Sequence, residues 1–388
     1  RRHTLHSPLL LLPFVCRGRT TYLRGEEGAR MASEASEAIP PPPYYASALL
    51  AATLSSVIYD LEHRHEGTHL GALNPEDLLR ETLAHPENYV EHITADALKS
   101  EAFKDIEFKQ FVPDPRNERT CRTIHDTECG IFVSKRLKRV VAAFRGTEPT
   151  AREWLLTNIL PALFQGGNDD FFCKDSDPAS RVHRGWLGAY TKCDIGKDVE
   201  KHVVDLYNEH SGNGQDRTWG VLTTGHSLGG ALATLCAYRL TKCTYDIDNI
   251  PTQGVPVEMV NFAAPRVGNP AFQRELEQSH AHLVRIVNNN DIVPRLPPRS
   301  FRLLWLLKCP TYRHVGPFVK FDGSEEANAT VYTANRRCVE LDPGRLPWGV
   351  FNADKRADHT MSTDGTNSYL KKLMTLKASG WPGTPAPP

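Results

Sequence analysis

A serine in a glycine-rich turn is the residue of this sequence best suited to covalent chemistry. Ser227 lies in Gly225-His226-Ser227-Leu228-Gly229-Gly230, a G-x-S-x-G pattern between an apolar stretch and an alanine-rich one. A sharp turn from strand to helix needs small residues around the serine, because larger side chains would collide there. The helix N-terminus also favours negative charge beside the serine. The pattern predicts a nucleophile; the alternative is a glycine-rich helix start capped by Ser227.

Acyl transfer also requires backbone N–H donors for the oxyanion that forms at the attacked carbon. Leu228, the residue after the serine, is placed to supply one donor. A second donor normally comes from a loop after an earlier strand. Phe144-Arg145-Gly146-Thr147 directly follows the apolar run at residues 140–143 and is the candidate for this loop. An ordinary turn between a strand and a helix is the alternative at these residues.

Predicted strands and helices alternate around these motifs. Apolar runs predict strands, and apolar residues at helical spacing predict helices. Their alternation predicts an α/β fold with a mostly parallel central sheet and helices on both faces. Helical spacing further upstream predicts an N-terminal helical region. The predicted strands are residues 130–134, 139–144, 219–224, 257–263 and 283–287, and the predicted helices are residues 46–61, 78–98, 231–240 and 271–278.

Five motifs between residues 129 and 373 occur in a familiar order. They are Ala143–Thr147, Val182–Trp186, Gly225–Gly230, Asn261–Asn269 and Asp291–Pro298. Together they resemble the fungal-type, class 3 triacylglycerol lipase family of the α/β-hydrolase superfamily. The resemblance implies an α/β-hydrolase fold, a Ser-Asp-His site that cleaves carboxylic esters of acylglycerols or related lipids, and no cofactor or metal.

The resemblance also implies a role for each site residue. By position, Ser227 is the nucleophile, Asp291 is the acid, and Thr147 and Leu228 are the oxyanion donors. Asp291 follows a predicted strand, so it lies at the sheet edge where the active sites of such folds collect. The base follows the acid in this fold, which leaves His314 and His359. We expect His359 to be the base, because it holds the C-terminal position of the family's histidine.

Two apolar segments suggest contact with lipid. Residues 150–164 carry apolar side chains near helical spacing, and the resemblance implies an amphipathic lid between the oxyanion loop and His183. A core-facing helix is the alternative, since apolar helical stripes usually face the core. The run Leu303–Leu307, which includes Trp305, is too short to span a bilayer but could enter a lipid–water interface. Burial against the N-terminal helices is the alternative there.

Two other classes of function compete with ester hydrolysis. His65-Glu66-Gly67-Thr68-His69 matches H-E-x-x-H, which on a helix holds zinc for a metallopeptidase. Gly67 and Gly71 disfavour a stable helix at this match. The second alternative is an inactive hydrolase fold that binds lipid or protein. Because all three expected side chains of the site are present, this alternative is disfavoured.

Charge and cysteine content limit the partners and the location. The 388 residues carry 46 basic and 46 acidic side chains, so no basic surface for nucleic acid is indicated. Nine cysteines without C-x-x-C pairs favour an intracellular or organellar protein over a disulfide-framed secreted one. We expect residues 1–43 to be disordered or a targeting segment, or partly to precede the true start at Met31. Residues 44–110 form the helical region, residues 111–376 the hydrolase domain and residues 377–388 a disordered tail.

Overall fold

The computed structural model describes twelve segments of the chain, all within the compact unit Pro41–Pro388. The expected lid at residues 150–164, the run Leu303–Leu307 and the H-E-x-x-H match lie outside these segments, as does the predicted helix at residues 78–98. The described residues are 45–63, 105–112, 128–146, 165–166, 171–243, 255–288, 291–297, 311–321, 329–332, 359, 361 and 368–376.

An eight-stranded, mostly parallel sheet forms the centre of the molecule. Its spatial order is β1-β2-β3-β6-β7-β8-β9-β10, and a separate small ladder pairs β4 with β5. The central strands β3, β6, β7, β8 and β9 pair in parallel, whereas the pairs at both edges are antiparallel. The strands are β1 (Ile106–Val112), β2 (Cys129–Ser134), β3 (Arg139–Phe144), β4 (Gln165–Gly166), β5 (Val182–His183), β6 (Gly220–His226), β7 (Val257–Phe262), β8 (His282–Asn288), β9 (Phe318–Phe321) and β10 (Ala329–Tyr332).

Helices cover both faces of this sheet. Helices α2 to α5 contribute to the hydrophobic core on one face, and α1 and α6 contribute to the core on the other face. The sheet is therefore buried between two helical layers, as predicted for an α/β-hydrolase fold. The helices are α1 (Tyr45–His63), α2 (Arg184–Thr191), α3 (Ile195–Ser211), α4 (Leu228–Lys242), α5 (Pro270–Glu277) and α6 (Tyr369–Leu376), with 3₁₀ turns at Lys192–Asp194 and Val293–Arg295.

Side-chain alternation along the strands explains the two cores. In β3, Val140, Ala142 and Phe144 join the core beneath α2 to α5, while Val141 and Ala143 join the core beneath α1 and α6. Successive side chains of a strand point to opposite faces, so a strand covered on both faces is apolar at every position. The continuous apolar runs in the sequence are the signature of this double burial.

The sheet begins earlier than the sequence predicted. Strand β1 starts at Ile106 and pairs antiparallel with β2, so it crosses the boundary expected between residues 110 and 111. The last residues of the expected helical region are therefore an edge strand. Its apolar residues are interrupted by Glu107 and Lys109, and only three of its seven residues are buried. This half-exposed pattern gave no continuous apolar run to recognise.

Two cysteines that are 70 residues apart in sequence form a disulfide, Cys173 to Cys243. The cysteine spacing did not predict this pair, because the fold alone brings a loop next to the end of α4. Cys129 and Cys236 are free and buried. Within the described residues, no helix is both long and apolar enough to cross a bilayer.

Candidate active site

Ser227 lies on a sharp turn between β6 and α4. Its backbone angles, φ 57° and ψ −124°, belong to a region that a residue with a side chain rarely adopts. Two backbone hydrogen bonds hold the turn: Ser227 N donates to Phe262 O at 2.9 Å, and Gly230 N donates to Ser227 O at 3.1 Å. The parallel pairing of β6 with β7 thus fixes the point at which the serine leaves the sheet.

Glycines allow the chain to pack closely around this turn. A Cβ atom at Gly225 would lie 2.8 Å from Phe144 O, and one at Gly229 would lie 2.9 Å from the carbonyl carbon of Arg145. Both neighbours are backbone atoms of β3 and the loop after it, so they cannot rotate away. The glycines of the G-x-S-x-G pattern are therefore required by packing between β6, α4 and the end of β3.

The structure brings Ser227, His359 and Asp291 together although they are far apart in sequence. His359 Nε2 lies 3.2 Å from Ser227 Oγ, and His359 Nδ1 lies 2.9 Å and 3.0 Å from the two carboxylate oxygens of Asp291. All three residues are buried, with exposed fractions of 2%, 8% and 0% respectively. Asp291 follows β8 at the carboxyl edge of the sheet, as expected.

The contacts of Asp291 determine the protonation pattern of the imidazole. An ionised carboxylate can only accept hydrogen bonds, so His359 Nδ1 must carry the proton that lies between them. In a neutral ring, Nε2 is then the acceptor. Val293 N also donates to Asp291 Oδ1 at 2.9 Å. His359 is therefore oriented to accept the hydroxyl proton of Ser227 at Nε2.

The loop after β3 packs directly against the elbow. Gly146 leaves no room for a side chain, because a Cβ atom there would lie 2.5 Å from His226 O. Arg145 anchors this loop: its buried guanidinium donates to Glu128 Oε2 at 2.7 Å, and its backbone N donates to Glu128 O at 2.8 Å. Thr147, the next residue after Gly146, lies outside the described segments, so its oxyanion role stays a prediction.

Leu228 is the first residue of α4, directly after Ser227. The first N–H groups of a helix have no carbonyl partner within the helix. The Leu228 N–H thus lies directly after Ser227 at the start of α4, and its role as an oxyanion donor stays a prediction. The aligned peptide dipoles of α4, a 15-residue helix, add partial positive charge at the same end.

His226 and Tyr59 make further contacts around the site that were not predictable from the sequence. The rings of His226 and His359 are 4.5 Å apart between centroids. Tyr59 Oη, on α1, lies 3.1 Å from His226 Nδ1. The N-terminal helix therefore reaches the site through a tyrosine hydroxyl. The helical spacing of α1 predicted a packing surface but could not indicate which residue contacts the elbow.

Tyr369 is another contact that the sequence did not reveal. Its hydroxyl group donates to Asp291 Oδ2 at 2.7 Å and accepts from Asn288 N at 2.9 Å. Tyr369 begins α6, and the tyrosine is fully buried. A tyrosine at the start of an amphipathic helix usually contributes to the core, so its residue type alone gave no signal.

His314, the other candidate for the base, bonds to a backbone carbonyl instead of Ser227. Its Nε2 is 2.6 Å from the carbonyl oxygen of Pro294, in the 3₁₀ turn that follows Asp291. Desolvation of the ring, with the nearby cations of Arg285 and Arg266, lowers the pKa of His314 well below its usual range. The ring therefore stays neutral and donates to a backbone carbonyl, which is a structural arrangement.

Metal binding is not supported by the part of the chain that the structure describes, where no cluster of three or more His, Cys, Asp or Glu side chains could hold an ion. The H-E-x-x-H match at residues 65–69 is outside that part. The zinc alternative is therefore left to experiment.

Comparison with known proteins shows which family a part of this chain is similar to. Residues 141–301 match the model of the family described as Lipase (class 3). The predicted resemblance to class 3 lipases is confirmed. The match includes Ser227 and Asp291, whereas His359, Tyr369 and Tyr59 lie outside it. The other residues of the candidate site thus lie outside the matched range.

Several plant enzymes are similar to the chain. Phospholipase A1-II 4 of Oryza sativa subsp. japonica is 30% identical over 212 residues, which are 51% of this chain and 50% of the relative. Galactolipase DONGLE, chloroplastic, of Arabidopsis thaliana is 30% identical over 213 residues, 48% of this chain and 42% of the relative. The chain thus aligns with about half the length of these relatives.

Among solved structures, the Rhizomucor miehei lipase propeptide complex aligns with a TM-score of 0.49 and 20% identity, covering 76% of each chain.

Proposed function

We propose that this protein is a serine hydrolase that cleaves carboxylic ester bonds of acylglycerols or related lipids through an acyl-enzyme intermediate. One observation carries the proposal: the hydrogen-bonded series from Ser227 Oγ to His359 Nε2, and from His359 Nδ1 to Asp291, at the start of a helix. A serine hydroxyl is a weak nucleophile unless a base takes its proton, and this series supplies a base with the required free nitrogen.

The reaction follows from these positions. Ser227 Oγ attacks the ester carbonyl carbon while its proton passes to His359 Nε2, and the carbonyl oxygen becomes an oxyanion. His359 then gives that proton to the departing alcohol oxygen as the carbon–oxygen bond of the ester breaks. Water attacks the resulting acyl-enzyme in the same way, with His359 again taking and returning a proton. A fatty acid is released and Ser227 is restored.

Two features stabilise the transition state in this proposal: the Asp291 carboxylate beside His359, and the backbone N–H groups beside the oxyanion. Asp291 is fully buried beside His359, so its negative charge stabilises the imidazolium that forms when Ser227 loses its proton. The Leu228 N–H, together with the Thr147 N–H, would donate to the oxyanion. The backbone donor at the N-terminus of α4 is already oriented before the reaction, which removes the cost of reorienting solvent.

The family match supports a lipid ester as the substrate. The plant relatives are named as phospholipases A1 and a galactolipase. We therefore propose acylated glycerolipids of membranes as the first substrates to test, with triacylglycerol as the comparison.

Access to the site supports action at a lipid–water interface. Ser227 and His359 expose only 2% and 8% of their surfaces, which is compatible with a cover over the site in water. We propose that residues 150–164 form this cover and that a lipid surface displaces it, since its apolar side chains would then meet lipid. Hydrolysis of a short-chain ester should rise above the solubility limit; a rate that shows no rise there contradicts the proposal.

We also propose an organellar location. Relatives of this chain are named as chloroplastic, or as chloroplastic and mitochondrial. The disulfide between Cys173 and Cys243 is the feature that speaks for an oxidising route instead. Imaging a fluorescent fusion of the full gene product separates the two routes, because signal in the secretory pathway would contradict an organellar location.

The experiment that tests the function measures release of fatty acid from phosphatidylcholine, a galactolipid, a diacylglycerol and a triacylglycerol. Ser227→Ala should lower every measurable rate by more than about a thousandfold, because no other residue at the elbow can form the acyl-enzyme. A metal chelator should leave the wild-type rates unchanged. Chelator-sensitive activity that survives in Ser227→Ala would favour the zinc alternative instead.

A further inference from the structure

The hydrogen bonds around Asp291 connect a fourth side chain, Tyr369, to Ser227, His359 and Asp291. Asp291 Oδ1 accepts from Val293 N, and Asp291 Oδ2 accepts from the hydroxyl of Tyr369 at 2.7 Å. The carboxylate is fully buried, so each donor replaces a water molecule that the charge would otherwise bind. Among the described residues, Tyr369 and His359 are the side chains that donate to this carboxylate.

The direction of the Tyr369 hydrogen bonds follows from their partners. Asn288 N is a backbone N–H, so it can only donate, and the hydroxyl oxygen of Tyr369 accepts from it at 2.9 Å. An ionised Asp291 can only accept, so the single hydroxyl proton points to Asp291 Oδ2. The hydroxyl thus relays polarisation from the end of β8 to the carboxylate, and each bond strengthens the next.

Tyr369 also connects the acid to the segment that carries the base. It stands ten residues after His359 and begins α6, which packs against α1 and the core on that face. The aromatic ring of Tyr369 is edge-on to Phe262 at 6.2 Å and to His226 at 5.9 Å, so the ring itself is fixed. The hydroxyl is therefore held at Asp291 by packing as well as by its hydrogen bonds.

We propose that Tyr369 is a positioning residue for the ester hydrolysis proposed above, on which this inference rests: its hydroxyl fixes the Asp291 carboxylate and tempers its charge, and thereby sets the basicity of His359. A carboxylate that lacks this donor would attract the proton on His359 Nδ1 more strongly and stabilise the imidazolium. It would also be held less firmly, by Val293 N and His359 alone among the donors described above.

The test compares Tyr369, the first residue of α6, with Tyr45, whose hydroxyl donates to a backbone carbonyl of α6. Tyr369→Phe removes the hydroxyl at Asp291. Tyr45→Phe is the matched control, because the Tyr45 hydroxyl donates to Leu373 O of α6 at 3.1 Å without contacting the site. Tyr369→Phe removes the bonds to Asp291 Oδ2 and from Asn288 N, whereas Tyr45→Phe removes the bond to Leu373 O, so Tyr369→Phe should lower the melting temperature more. Only Tyr369→Phe should alter catalysis.

For Tyr369→Phe we expect kcat/KM to fall about tenfold, the effect of losing one hydrogen bond to a charged group. The acidic limb of its kcat/KM profile should move to higher pH by about half a unit, because both the carboxylate and the imidazole become more basic. The titratable neighbours of His359 in this reasoning are Asp291 and His226, which both variants retain. Tyr45→Phe should stay within about twofold of wild type, with an unchanged limb.

Equal kinetics and equal pH limbs in the two variants would overturn the proposal and leave Tyr369 with a packing role only. Should Tyr369→Phe fail to fold, 3-fluorotyrosine at position 369 keeps the bond but makes the hydroxyl a stronger donor, so the acidic limb should move to lower pH. No movement would overturn the proposal. Ser227→Ala is assayed alongside: if it still hydrolyses ester, the proposed function itself is wrong, and the role of Tyr369 falls with it.

Discussion

The two sides of the candidate site are built in opposite ways. Ser227 is held by the backbone: β6 and α4 meet at its turn, and glycines pack against the end of β3. His359 is held by side chains, through Asp291 and through the ring of His226. The elbow is thus a product of chain connectivity, whereas the position of the base depends on residues that come from three distant parts of the sequence.

This difference predicts two kinds of sensitivity. Backbone packing at the elbow tolerates no added volume, because backbone atoms of a paired strand cannot move aside. Side-chain hydrogen bonds at His359 tolerate small changes in packing. Catalysis is lost, however, when one of their donors or acceptors is removed. Substitutions of the elbow glycines should therefore affect stability first, and substitutions at the histidine should affect catalysis first.

The largest expected effect comes from the histidine side. His359→Ala should lower kcat/KM by more than about a thousandfold while the protein stays folded, because Ser227 loses its base. The control is His314→Ala, which removes a hydrogen bond to Pro294 O. That variant should lose about 1 kcal/mol of stability and retain most of its activity. A folded but inactive His314→Ala protein together with an active His359→Ala protein would reverse the assignment of the base.

A methyl group added at Gly229 tests the backbone packing around Ser227. Gly229→Ala places a Cβ atom 2.9 Å from Arg145 C and closer still to Phe144 O. We expect a loss of about 3 kcal/mol in the free energy of unfolding, from overpacking against immobile backbone. Gly188→Ala is the control, since Gly188 is exposed on α2 and a Cβ atom there meets nothing within 4 Å. That change should stabilise the protein by up to about 1 kcal/mol.

Chemical denaturation at constant pH measures both glycine variants. If Gly229→Ala were as stable as wild type, the close packing between α4 and the end of β3 would not constrain the elbow.

The smallest expected effect is the pH dependence of stability that comes from His183, a histidine outside the candidate site. His183 is buried, its ring stacks on Trp186, and its Nδ1 accepts from Gly185 N and Trp186 N at the start of α2. Burial lowers the pKa of His183 to about 4. The unfolded chain, with a pKa near 6.5, therefore binds more protons than the folded one between these values, so stability falls as pH falls from about 6.5 to 4.

From pH 7 to pH 5, this histidine should lower the free energy of unfolding by about 2 kcal/mol. His183→Asn keeps a cap acceptor but cannot titrate, so its stability should fall less over the same range, although it starts lower at pH 7 through loss of the ring contact with Trp186. His314, whose pKa is also lowered, contributes equally to both proteins. Identical slopes of stability against pH in the two proteins would show that His183 is not held neutral by burial.

Sequence patterns predicted the parts of this molecule that are local in the chain. The elbow, the strands at residues 139–144 and 283–287 and the helix after Ser227 were predictable, because periodicity and turn chemistry act over a few residues. Strand β1 was not, since an edge strand buries only part of its length. The contacts of Tyr59 and Tyr369 were also hidden, because a tyrosine that packs and one that bonds a carboxylate look alike in sequence.

The choice of the base between His314 and His359 could not be made from local sequence patterns. Two histidines follow Asp291, and nothing in their immediate neighbours distinguishes a base from a structural ring; position in the chain favoured His359. The structure separates them by partners that lie 20 residues away for His314 and 68 or more for His359.

Covalent labelling tests the central claim, that Ser227 is an activated nucleophile, most directly. The folded protein is treated with a fluorophosphonate probe, and the modified peptide is identified by mass spectrometry in wild type, Ser227→Ala and His359→Ala. We predict one adduct per chain on Ser227 in wild type, no adduct in Ser227→Ala and labelling at least a thousandfold slower in His359→Ala. Labelling of another residue, or equal labelling rates with and without His359, would contradict the account.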